Sequence, residues 1–207
     1  MSEKSTNKYA IVDLEATSAS STACIIQVGI VIMQNGRVID EFASDVNPHQ
    51  KLDNHIVHLT GITDQQLSQA PDFSEIARTI FELIEDCIFV AHNVKFDANL
   101  LAEALFMEGF ELRTPRVDTV ELAQVFYPTL EQYKLSYLSQ VLNLDLAQAH
   151  TAIEDARATG KLLLHLMDKI ASLPRQTIDM LLTFSDNLLF ESELVIRDAI
   201  KGKTNSL

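Results

Sequence analysis

Four acidic side chains and one histidine fall in three separated clusters whose residue types could do chemistry together. Asp13 and Glu15 lie in IVDLEATS, Asp97 in AHNVKFDANLL, and His150 and Asp155 in HTAIEDARAT. Each cluster sits where an apolar run ends or a helix begins, which is where side chains can converge on one cleft. Four carboxylates in one cleft repel unless cations lie between them. Two divalent ions would cancel the four charges, so the set reads as a two-metal site with a histidine beside it. An all-carboxylate ligand set suits Mg²⁺ or Mn²⁺ better than zinc. His150, with an ordinary pKa of about 6.5, suits proton abstraction from water at neutral pH.

The elements that must position these groups can be read from hydropathy. Residues 8–14 (KYAIVDL) form a nearly continuous apolar run, as expected of a central strand covered on both faces. Asp13 and Glu15, two apart on it, point to one face while Leu14 points to the other. A second strand spans 24–34, and Asn35-Gly36 turns it into an antiparallel third strand at 37–46. Polar residues from Asn47 to Ala70 suggest a loop with one short helix near Asp64–Gln69. A helix over 73–86, a strand at 87–91, a helix from near Asn93 to Glu108 and a strand at Arg116–Thr119 follow. Helices near 120–126, 134–142 and 151–170 complete the pattern. Strands first, then strands alternating with helices, imply an α/β fold with a mixed sheet.

Helix-start signals place the two later clusters. Thr151 followed by Glu154 fits a capping box, which gives Glu154 a structural task and makes Asp155 the fourth helical residue. The positions before the cap and at the fourth residue normally touch, usually through apolar side chains; here they are His150 and Asp155. Asn93 is a plausible cap in the same way and puts Asp97 at the fourth helical residue. Phe96 either joins the core or stacks on a base. His92 and Asn93, closing the preceding strand, either touch substrate or are satisfied loop residues.

Composition bounds the reading. The 207 residues are 47% apolar and 22% charged, an ordinary globular balance with room for a sizeable core. A net charge of −13 argues against a protein that clamps long nucleic acid through many phosphate contacts. A few terminal nucleotides gripped through metal ions remain compatible with it. No apolar run reaches a membrane span and the polar N-terminus lacks a signal peptide, so a cytoplasmic chain is expected. Cys24 and Cys87 fall in predicted strands, read as buried reduced thiols. From Leu173 onward no strand is predicted. Pro174 should start one or two helices outside the core, giving a division into 1–172 and a helical extension or linker start at 173–207. Gly202-Lys203-Thr204 is no phosphate loop, because the first glycine of that motif would fall on Arg197.

These motifs resemble a known family. D-x-E at Asp13 and Glu15, H-N-x-x-F-D from His92 to Asp97, and H-x-x-x-x-D from His150 to Asp155 match the DEDD exonucleases. Thr151 stands where the tyrosine subgroup carries its aromatic, so the histidine subgroup fits. The likeness covers about 8–170 and includes LTGIT at Leu59–Thr63 and KLSYL at Lys134–Leu138. Relatives of this kind include the proofreading epsilon subunit of bacterial DNA polymerase III. In the first motif Ala16 and Ser18 replace the family's usual threonine and glycine, while Thr17 matches.

The resemblance implies a ribonuclease H-like five-stranded mixed sheet with one antiparallel strand. It also implies 3′→5′ hydrolysis of a nucleic-acid 3′ end, with release of 5′-mononucleotides. Asp13, Glu15, Asp97 and Asp155 would hold two Mg²⁺ or Mn²⁺, and His150 would be the base. The backbone around Leu14–Thr17, with His92, Asn93 and Phe96, would seat the terminal nucleotide. Residues 174–195 resemble the segment after the nuclease domain in Gram-positive proteins fused to a damage-inducible G-type helicase. A helicase or polymerase partner is implied, and single-stranded DNA ahead of RNA. An exoribonuclease on short RNA and a silent nuclease-fold module stay open as alternatives.

Overall fold

The structure is a computed structural model that describes residues 7–20, 22–144, 151–185, 188 and 190–204. Five strands form a single sheet in the order β3-β2-β1-β4-β5. They are β1 (Lys8–Ala16), β2 (Ile25–Gln34), β3 (Arg37–Asp45), β4 (Ile88–Ala91) and β5 (Arg116–Asp118). β2 runs antiparallel to β1 and β3, whereas β1, β4 and β5 are parallel. The expected mixed sheet with one reversed strand is what forms. Asn35 and Gly36 both take positive φ (54° and 72°), the geometry that joins twisted antiparallel strands most tightly.

β1 is central and alternates strictly. Tyr9 and Ile11 enter one core cluster, and Ala10, Val12 and Leu14 enter another on the opposite face. Continuing that alternation places Asp13 and Glu15 on the Tyr9–Ile11 face. Helices α3 (Phe73–Ile84) and α4 (Val94–Met107) cover the Leu14 face, contributing Ile80, Ile84, Leu101 and Leu105. The Asp13 face is covered by α5 (Thr119–Phe126), α6 (Leu135–Val141) and the long α7 (Ala152–Ser172). Two of its helices, α5 and α6, follow the parallel strands, and α7 lies across β1 and β2.

Three expectations need correction. Between Asn47 and Ala70 there are two short helices, α1 (Asn54–Thr60) and α2 (Asp64–Leu67). α1 fully buries no residue and rests only Ile56 and Val57 on a small cluster with Leu52 and Ile62, too few for an apolar period to be detected. Cys24 and Cys87 precede β2 and β4 rather than lying within them, and both are free. The C-terminal helices are α8 (Arg175–Phe184) and α9 (Glu193–Thr204), and α9 is not outside the core. Val195, Ile196 and Ala199 are buried in the same cluster as Leu162 and Leu166 of α7. Polar ties hold α9 there: Asp198 accepts from the Tyr9 hydroxyl and the Asn7 amide, each at 2.8 Å. Glu191 locks the preceding turn by taking the Arg116 N–H on its carboxylate (2.8 Å) and giving its own N–H to the Arg116 carbonyl (2.9 Å). Among the described residues no helix is long and apolar enough to cross a membrane.

Candidate active site

β1, α4 and α7 bring the acidic residues together. One carboxylate oxygen from each of Asp13, Glu15 and Asp155 lies within 4.8 Å of the others, close enough to share a metal ion. Asp97 approaches from α4, where it is buried at the fourth helical position, and its Oδ1 accepts the Leu14 N–H at 3.0 Å. That bond ties α4 to the peptide between the two β1 acids. Asp97 therefore stands beside the three-acid group, and among the neighbouring carboxylates its charge acts most strongly on Asp13. His150 lies outside the described residues.

α7 reaches this cleft because of two small features of β2. Gly29 pairs with Asp13 in the β1–β2 register. A Cβ on Gly29 would lie 2.2 Å from the Ala152 carbonyl carbon and 2.3 Å from the Ile153 nitrogen, so only glycine admits the first turn of α7. The Gln27 Oε1 accepts the Ala152 N–H at 2.8 Å. Thr151 is the N-cap and accepts the Glu154 N–H. The Glu154 side chain bonds Arg157, which also pairs with Glu41 of β3, so its structural task is to tether α7.

The electrostatics show like charges forced together. Burial pushes the Asp13 carboxyl well above the usual carboxylate range, and the carboxylates of Asp97, Asp155 and Glu15 push it further. Burial raises Asp97 from 3.8 to about 7; hydrogen bonds from the Leu14 and Asp97 backbone N–H groups oppose this, and Glu15 and Asp118 reinforce it. A divalent cation relieves this repulsion, which is the test the donor set passes: hard oxygen donors, converging, with excess negative charge. Both acids bind protons more tightly in the folded chain than in the unfolded one. The metal-free protein will therefore lose stability as pH rises from about 4 through about 7, on the order of 4 kcal/mol for Asp97. Thermal melts in EDTA at pH 5.5 and pH 8 check this. A higher melting point at pH 5.5, with the pH 8 deficit removed by Mg²⁺, is the expected pattern; equal melting points in EDTA would contradict it.

The residues expected to seat a nucleotide are placed unequally. Phe96 is half-buried on the first turn of α4, and Asn93 is exposed. Asn93 occupies the N-cap position at φ 79° without a side-chain cap bond, and its N–H goes to Asp118 Oδ1 at 3.0 Å. The Leu14 side chain is buried in the core and its N–H belongs to Asp97. Thr17 holds the turn after β1, its hydroxyl accepting from Cys24 N–H at 3.0 Å. Both ring nitrogens of His92 are engaged, Nε2 with the Tyr133 carbonyl (2.7 Å) and Nδ1 with the Thr119 hydroxyl (2.8 Å). Burial lowers its pKa, so the ring is neutral, with Nε2–H donating to the carbonyl. His92 thus braces the end of β4 against the start of α5 and the segment before α6.

Sequence reasoning passed over Asp118, Gln27 and Gly29. Asp118 is buried at the end of β5 and caps α5 through the Val120 N–H while supporting Asn93. The signal was available, since D-T-V-E is a cap pattern at a strand end. A lone glycine in the apolar run IIQVGIVIM is likewise a mark of close backbone approach.

A mixed α/β sheet with a carboxylate cluster at the end of its central strand is the arrangement that a class of metal-assisted hydrolases uses. The chain belongs to the Exonuclease family, whose sequence profile matches residues 10–163. It is 38% identical over 185 residues to the 3′-5′ exonuclease DinG of Staphylococcus aureus strain USA300. That alignment covers 88% of this chain and 21% of the relative, so the chain spans about a fifth of the length of such proteins. Among solved structures, an Exonuclease I superposes with a TM-score of 0.71 at 17% identity, over 86% of this chain and 44% of that one. The nuclease domain of 3′hExo, a DEDDh family member bound to rAMP, gives 0.67 at 16% identity, over 80% and 94%. Exonuclease X in complex with 5′ overhanging duplex DNA gives 0.63 at 20% identity, over 77% and 91%. These three likenesses establish the shared fold.

Proposed function

We propose that the chain removes nucleotides from the 3′ end of single-stranded DNA by hydrolysis, as the nuclease part of a longer, helicase-bearing protein. The observation that carries this is the cluster of Asp13, Glu15 and Asp155 with Asp97 at its side, inside the matched exonuclease region. These four acids would hold two Mg²⁺ or Mn²⁺ ions. Bound there, the ions would supply charge stabilisation for the attacking and leaving oxygens of the phosphodiester. His150, one residue before the α7 cap, takes the proton from the attacking water. The Phe96 ring stacks on the terminal base, and the exposed Asn93 and the turn held by Thr17 flank its sugar and phosphate. Residues 1–172 make up the nuclease unit, and 173–207 lead toward the next domain while α9 stays anchored on the nuclease core.

Solved relatives of this fold hold a 5′ overhanging duplex DNA and a dA16 oligonucleotide, which supports DNA, and one holds rAMP, which makes RNA the reading the experiment must separate. The deciding experiment is a gel time course on 5′-labelled single-stranded DNA, run beside a matched RNA, with Mn²⁺ and with EDTA. A metal-dependent ladder shrinking from the 3′ end, faster on DNA, is expected. Faster RNA cleavage would reassign the substrate, and no ladder on either would refute the proposal. His150→Ala is expected to slow cleavage by roughly 10²–10⁴-fold with oligonucleotide binding retained. Full activity in that variant would remove His150 from the base role.

A further inference from the structure

A line of polar side chains runs from α2 to the first turn of α7, and only its last bond, Gln27 to Ala152, has been given a place above. Gln66 Nε2 donates to Asp45 Oδ2 at 2.7 Å. Gln27 Nε2 donates to the other oxygen, Asp45 Oδ1, also at 2.7 Å. Gln27 Oε1 then accepts the Ala152 N–H at 2.8 Å. A carboxylate only accepts and a backbone N–H only donates, so the amide of Gln27 can face just one way. Ala152 is the first residue of α7, and its N–H has no partner inside the helix. The cap, Thr151, serves Glu154 instead. Gln27 supplies the missing acceptor from a strand position directly opposite Glu15.

We propose that Gln27, oriented by Asp45, is a positioning residue that fixes the first turn of α7 against β1. It thereby holds Asp155 close enough to Asp13 and Glu15 for the three carboxylates to share a cation. The inference rests on the metal-dependent reading of that cluster. The physical reason is local: Asp155 lies one turn beyond Ala152, so freedom at the helix start becomes freedom at the ligand. Gln66 extends the same line to α2, which follows the Leu59–Thr63 stretch directly in the chain.

The test measures Mn²⁺ binding to the full 207-residue chain by titration calorimetry, together with kcat and KM on a single-stranded DNA oligonucleotide. Gln27→Met keeps the length of the side chain and removes its polar atoms. It is expected to weaken Mn²⁺ binding by about 10-fold or more, the usual cost of losing an outer-shell partner. The value of kcat should fall with it while KM stays near wild type. The exchanged pair Gln27→Glu/Asp45→Asn reverses donor and acceptor between the two positions at unchanged net charge. Its new carboxylate accepts both the Ala152 N–H and the new amide; because it also adds a negative charge opposite Glu15, the recovery is read in kcat, which should return close to the wild-type value.

Wild-type Mn²⁺ affinity and kcat in Gln27→Met would overturn the proposal. So would an exchanged pair as impaired as Gln27→Met, since that would leave Gln27 a packing role alone. A wild-type chain that neither binds Mn²⁺ nor cleaves would instead overturn the proposed function, and this inference with it.

Discussion

Asp13→Asn will reduce exonuclease turnover by at least about 10³-fold, the several kcal/mol that metal-assisted charge stabilisation contributes. In the same variant the metal-free protein at pH 8 will melt no lower than wild type. The two effects share one cause. Asp13 is held half-buried among the carboxylates of Asp97, Asp155 and Glu15, so its charged form is disfavoured until a cation arrives. An amide of the same shape removes that repulsion and also removes a ligand. Such a site stores instability that metal binding releases, a common arrangement where function opposes stability. The distinguishing measurement is a pair of melts with and without Mn²⁺ beside a cleavage assay. Wild type should gain melting temperature from Mn²⁺, and Asp13→Asn should gain far less. A variant that kept turnover within tenfold of wild type would exclude Asp13 as a ligand.

Gly29→Ala will have the second large effect, although Gly29 carries no functional group. Its added Cβ would sit 2.2 Å from the Ala152 carbonyl carbon and 2.3 Å from both the Ala152 oxygen and the Ile153 nitrogen. Carbon atoms in contact prefer about 3.5–4.0 Å, so α7 must retreat by more than 1 Å. Backbone flanks the clash on both sides, and no side-chain rotation relieves it. Asp155 moves with the helix, and a misplacement of about 1 Å at a reacting centre costs roughly 10²-fold in rate. Overpacking of this kind also costs about 1–3 kcal/mol, which for a chain of this size lowers the melting point by several degrees.

Gly160→Ala is the matched control on the same helix. There the new Cβ would meet the Met33 Sδ at 2.9 Å, the flexible part of an unbranched side chain. Near-wild-type turnover is expected. If Gly29→Ala were as active as Gly160→Ala, the close approach of α7 to β2 would not be what sets Asp155.

Much of this protein could be read before folding it. The nearly continuous apolar run over residues 8–14, the Asn35-Gly36 turn and the Thr151 cap are local signals, carried by neighbouring residues alone. They placed the strands and most helices to within a few residues and put Asp13 and Glu15 on one face. The acids were identifiable because their spacing follows strand and helix periods, which the chain obeys wherever it folds.

What neighbouring residues could not determine was contact between distant segments. α1 rests only Ile56 and Val57, partly buried, on a small cluster and leaves no apolar rhythm, and α9 reads as an appendage until Asp198 meets Tyr9 and Val195 enters the core. His92 had two readings in the sequence, and only the Thr119 hydroxyl and the Tyr133 carbonyl, 27 and 41 positions away, show how it is satisfied. Asp97 could be named as an acid of the site, but its bond to the Leu14 N–H spans 83 positions. Gln27 bonds Ala152 across 125 positions. Side-chain type and local period determine which groups can do chemistry. The distances between them are set by sheet register and by how closely one backbone can approach another, and those exist only in the folded chain.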